Sequence, residues 1–141
     1  MKKNRIPIIK RASDEFEINI AGQAFKPHEG ESVYFIPYLS VDKAVKLGDA
    51  VTKLDEEEIG MAESFNIVSD ISEILVDIID HWDWTHPLTG EPIGKKTGGE
   101  FKPSANDIKQ LSVNEVNYLI TEFFGAMSPE ENPPPASSEQ S

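Results

Sequence analysis

Cysteine is absent from the 141 residues, which excludes disulfides and thiolate metal ligation and is what a reducing compartment leads one to expect. Basic residues are scarce, 13 Lys and Arg against 25 Asp and Glu, and the net charge of -12 argues against broad binding to a phosphate backbone. No apolar run approaches the roughly 20 residues that cross a bilayer, and no apolar segment with a small-residue cleavage site follows the basic start, so neither a membrane span nor a secretion signal is expected. The motifs of several enzyme classes are missing as well. There is no Gly-x-Ser-x-Gly elbow. The Gly94-Lys95-Lys96-Thr97-Gly98-Gly99 stretch lacks the glycine spacing of a phosphate loop and reads as a flexible segment. What remains, 38% hydrophobic and 27% charged, describes one globular domain of ordinary size.

Charge divides the chain in three. Residues 1–13 carry Lys2, Lys3, Arg5, Lys10 and Arg11 without an acid and read as a basic flexible arm. Residues 14–127 hold 22 acids and 8 bases, net -14, and form the folded domain. Residues 128–141, with three consecutive prolines and little to bury, read as a disordered acidic Pro/Ser tail.

The domain reads as α+β and mainly helical: a short three-stranded antiparallel unit, then about three helices, between disordered termini. Alternation in Glu15–Ile20 puts Phe16, Ile18 and Ile20 on one strand face. Ala21-Gly22 offers a turn, Gln23–Lys26 a return strand, and Ser32–Ile36 a third, so 14–37 is the β unit. Residues 40–82 read as helices. Ser40 caps the first, whose apolar positions are Val41, Ala44, Val45 and Val51. The second runs from about Ile59 to Trp82, with Ile67, Val68, Ile71, Ile74, Leu75, Ile78, Ile79 and Trp82 on one arc and Glu63, Asp70, Glu73, Asp77 and Asp80 opposite. Seven Gly and Pro residues make 83–103 a long loop. Residues 104–125 hold the C-terminal helix, opened by the capping box Ser112-Val113-Asn114-Glu115 and closed at Gly125, with a shorter turn starting at Ser104.

Asp80-His81-Trp82-Asp83-Trp84-Thr85-His86 is the one cluster that invites metal chemistry, through His81, Asp83 and His86. Their spacing matches no established zinc pattern, and the plainer reading has Trp82 and Trp84 anchoring the loop while the histidines bond locally. No catalytic centre, metal or cofactor is expected. From Leu54 to Gly94 there is no Lys or Arg, whereas Asp55, Glu58, Asp70, Glu73, Asp77 and Asp83 all lie there. A negative stripe of this kind either steers a basic partner or only solubilises the fold. The wide apolar arc of helix 59–82 likewise suits either an intermolecular contact or a central, fully covered helix. The residues expected to matter for binding are Trp82, Trp84, Asp70, Glu73 and Asp77.

One order of features resembles a known family. Phe25-Lys26-Pro27-His28-Glu29-Gly30-Glu31 is followed by Tyr34-Phe35-Ile36-Pro37. After the helices come Trp82-Asp83-Trp84-Thr85 and Leu88-Thr89-Gly90-Glu91-Pro92, then Leu111-Ser112-Val113-Asn114-Glu115 with Tyr118-Leu119-Ile120 and a Pro/Glu/Ser tail. This is similar to tail assembly chaperones of long-tailed bacteriophages and prophages. The resemblance implies a non-enzymatic protein of the host cytoplasm that binds the tape-measure protein and tail-tube subunits and leaves before the virion is complete. No nucleic acid or membrane partner is expected, and homo-oligomerisation stays open. The alternatives are a structural protein of the tail or connector, and an acidic DNA mimic that inhibits a host protein.

Overall fold

The computed structural model describes residues 6–56 and 58–127. The expected disorder of 128–141, and of the first five residues of the basic arm, falls outside them. The chain is α+β, but not with a three-stranded unit. Five antiparallel strands form one sheet in the order β1 (Ile9–Ala12), β4 (Ser32–Phe35), β5 (Ile79–Trp82), β7 (Glu100–Lys102), β6 (Lys95–Thr97). A separate two-stranded ribbon joins β2 (Ile18–Ile20) to β3 (Gln23–Phe25). Four helices cover the sheet: α1 (Val41–Leu54), α2 (Met61–Ile78), α3 (Ala105–Lys109) and α4 (Val113–Met127).

Three corrections concern the strands. First, the third expected strand does not pair with its sequence neighbours. β4 sits between β1, which comes from the supposed flexible arm, and β5, which comes from the supposed helix end. Second, helix 59–82 stops at Ile78, and Ile79–Trp82 is a strand. The reason lies in the register: Tyr34 faces His81 but Phe35 faces Ile79, so Asp80 is an extra residue on β5, a β-bulge. The bulge leaves Ile79 and Trp82 both buried, three positions apart, and a three-residue step is indistinguishable from helical spacing. Third, the 83–103 loop contains a hairpin. Thr97 pairs with Glu100 across Gly98 and Gly99, whose φ of +60° and +86° suit a tight two-residue turn. Glycines taken as breakers are therefore the turn that joins two strands. Gly94 is needed for a different reason: a Cβ there would stand 2.5 Å from the Lys102 carbonyl oxygen.

The helix starts follow the sequence more closely. Glu115 accepts from the backbone N–H and Oγ of Ser112, and the Glu115 N–H donates back to that Oγ, completing the box. Ser104 and Asp107 form a second box at α3. Ser40 occupies the N-cap of α1, but its hydroxyl donates to Asp42 instead of capping the helix. α1 also buries a different face from the one expected: Leu47, Ala50 and Leu54 are buried, whereas Val41 and Val45 are 80% and 57% exposed. α4 continues past Gly125 to Met127.

One face of the sheet (Val33, Phe35, Ile79, Trp82) packs with α1, α2 and α4 into a single core. Phe35 meets Phe123 of α4 at 5.9 Å between ring centroids. α2 is the central helix, in contact with α1, α3, α4 and β5, so its broad apolar arc is covered within the chain.

Candidate functional site

Two polar clusters stand out, one buried and one on the outer face of the sheet. The buried one is built on His28, which no solvent reaches. Its ring stacks on the Trp84 indole at 3.7 Å and 6°, and Trp84 stacks in turn on Trp82 at 4.8 Å. Phe16 stacks near both His28 and Trp84, and Tyr118 closes on Phe16 at 4.5 Å. His28 Nδ1 lies 2.8 Å from Glu31 Oε1 and Nε2 lies 2.6 Å from Glu115 Oε2. Glu31 also accepts from the backbone N–H and hydroxyl of Thr85, and Glu115 from Ser112. The ring thereby bridges the two carboxyl groups, one at each nitrogen. Burial pushes the Glu115 carboxyl up, but hydrogen bonds from His28 and Ser112 and the charge of His28 outweigh it and hold it below the ordinary glutamate value. Tyr118 is shifted the other way, raised by burial and by the charge of Glu122. The buried ring and its two carboxyl groups tie the segment before β4, the Thr85 turn and the start of α4 together.

This enclosure settles where the two tryptophans stand. Trp82 is 1% and Trp84 0% exposed; their indole N–H groups donate to the Ile93 carbonyl at 2.8 Å and to Ser13 Oγ at 2.9 Å. Both indoles lie inside the fold, closed to solvent.

The outer cluster takes only one member of the expected trio. Asp83 accepts from the Ser32 N–H at 2.6 Å, and His86 Nδ1 accepts from the Leu88 N–H, so neither meets His81. Instead His81 Nδ1 bonds Asp80 Oδ2 at 2.7 Å, and Nε2 stands 3.5 Å from Glu100 Oε2. One donor atom from each of Asp80, His81 and Glu100 lies within 4.8 Å of the others, and these are the residues able to hold a metal ion among those described.

Asp70, Glu73 and Asp77 are exposed on α2 together with Glu63. Tertiary structure changes the surroundings of one of them. Asp70 lines a shallow groove of about 200 Å³ with Lys46 and Lys53 of α1, so cations absent from its own stretch of sequence stand beside it. On the other flank of α2, Met61 and Phe65 are 88% and 56% exposed and join Val68, Leu111 and Val113 around an apolar hollow of about 140 Å³. Sequence periodicity could find the acidic row but not the His28 cluster, whose members Glu31 and Glu115 lie far apart in the chain. Among the described residues, no helix is long and apolar enough to cross a membrane. Compared with protein-family models, curated proteins and solved structures, the chain matches none.

Proposed function

We propose that the protein is a non-enzymatic assembly chaperone or adaptor of a phage tail, working in the host cytoplasm by holding the tape-measure protein and tail-tube subunits. The reading starts from the family resemblance of the sequence. The observation that carries it is the solvent side of α2, where every exposed charge (Glu63, Asp70, Glu73, Asp77) is negative, on the helix that also exposes Met61 and Phe65. An anionic row on a helix that also exposes apolar side chains suits a temporary grip on long amphipathic helices with basic residues: charge complementarity speeds encounter, and modest apolar contact keeps release easy.

Co-expression with a tape-measure fragment, followed by pull-down at moderate salt, tests this. The wild type should retain the fragment, and the triple reversal D70K/E73K/D77K should lose most of it while keeping its circular dichroism, since exposed substitutions usually shift stability by no more than about 0.5 kcal/mol each. Absence of retention by the wild type, or equal retention by the reversed variant, counts against the reading. Mass spectrometry of purified particles should find the protein missing.

A further inference from the structure

The sheet bulge does more than re-aim a strand. By inserting Asp80, it turns the side chains of Asp80 and His81 toward the same, outer face, opposite the buried Ile79 and Trp82. Tyr34, directly across on β4, stacks on the imidazole at 4.1 Å and 14° and fixes its plane. Lys10 lies one strand further away, with Nζ 5.9 Å from the Tyr34 ring centre, and the carboxylates of Asp80 and Glu100 stand at the two nitrogens of His81.

We propose that His81 and Glu100 bind a zinc ion, with Asp80 holding the imidazole in the ligating tautomer. The distances favour this over an ion pair. With Nδ1 engaged by Asp80 at 2.7 Å, Nε2 is the ring nitrogen that faces Glu100. The 3.5 Å gap that follows is too long for a good N–H···O hydrogen bond, whose range is about 2.7–3.2 Å. It does match two ligands of one ion: nitrogen and oxygen each about 2.0–2.1 Å from zinc at a tetrahedral angle stand about 3.4 Å apart. A carboxylate behind a ligating histidine is the common arrangement for orienting the ring and raising its basicity. Water completes the coordination, as the exposure of Glu100 allows. An imidazole nitrogen and a carboxylate oxygen make a mixed donor pair, and the nitrogen ligand selects zinc over magnesium or calcium.

Isothermal titration of the full chain with zinc chloride in a non-chelating buffer tests this, with nitrogen-15 spectra of the histidine rings recorded on the same samples. One zinc per chain should bind, shifting His81 Nε2 while Nδ1 keeps its proton, and excess magnesium chloride should not displace it. E100Q, at an exposed position whose change leaves the fold intact, and D80N should each weaken binding roughly tenfold or more. No binding, binding unchanged in E100Q, or a zinc-dependent shift at His28 or His86 in place of His81 overturns the proposal.

Discussion

Replacing His28 with alanine removes the ring that bridges Glu31 and Glu115 and opens a space against Trp84. Each carboxylate loses one donor and keeps others, Thr85 for Glu31 and Ser112 for Glu115, but two negative groups are left facing a vacated, water-poor site. Breaking a buried pair by deleting one partner costs about 3–5 kcal/mol, a large share of a stability of about 5–15 kcal/mol. The cost must depend on pH in a particular direction. Because its pKa is lowered on folding, Glu115 stabilises the native wild type above its unfolded value of 4.5, and that contribution fades as the pH falls through the lower folded value. In H28A the compensating hydrogen bond and charge are gone while burial remains, so the carboxyl takes up a proton more readily and relieves the variant on acidification. Urea unfolding of both proteins at pH 7, 5.5 and 4.5 reads this out. The gap in unfolding free energy should be about 3–5 kcal/mol at pH 7 and narrow between pH 5.5 and pH 4.5. A gap below about 1 kcal/mol at pH 7, the size of an ordinary neutral hydrogen bond, or one that ignores pH, refutes the account of His28 as the buried partner of both carboxyl groups.

Two further outcomes follow from the core and the β6–β7 hairpin. Trp82→Ala, which deletes a buried indole along with its bond to Ile93, should destabilise by about 3–5 kcal/mol in chemical denaturation, and any loss of partner binding should track the unfolded fraction instead of preceding it. Gly94→Ala should cost more than about 1 kcal/mol, because φ is +112° and the new methyl would meet the Lys102 carbonyl; a neutral result in thermal melts would show that the β6–β7 hairpin yields at no cost.

The features legible in the sequence are those whose cause is local. The Ser112–Glu115 box needs only four consecutive residues, the Ala21-Gly22 turn only two, and the amphipathic body of α2 only a repeat of 3.6. For the same reason the acidic row Asp70, Glu73 and Asp77 could be placed on the solvent side before any fold was known. Tertiary structure decided everything that depends on partners distant in the chain. β4 is central because Ile9–Ala12 and Ile79–Trp82 flank it, and no local pattern reports that choice. The bulge at Asp80 exists only as a mismatch between two strands, and it hid the end of α2 by giving strand residues a helical spacing. His28, Glu31 and Glu115 look like three ordinary polar residues along the chain; burial against Trp84 is what makes their hydrogen bonds obligatory, because a polar group closed to solvent must find its partner inside the fold.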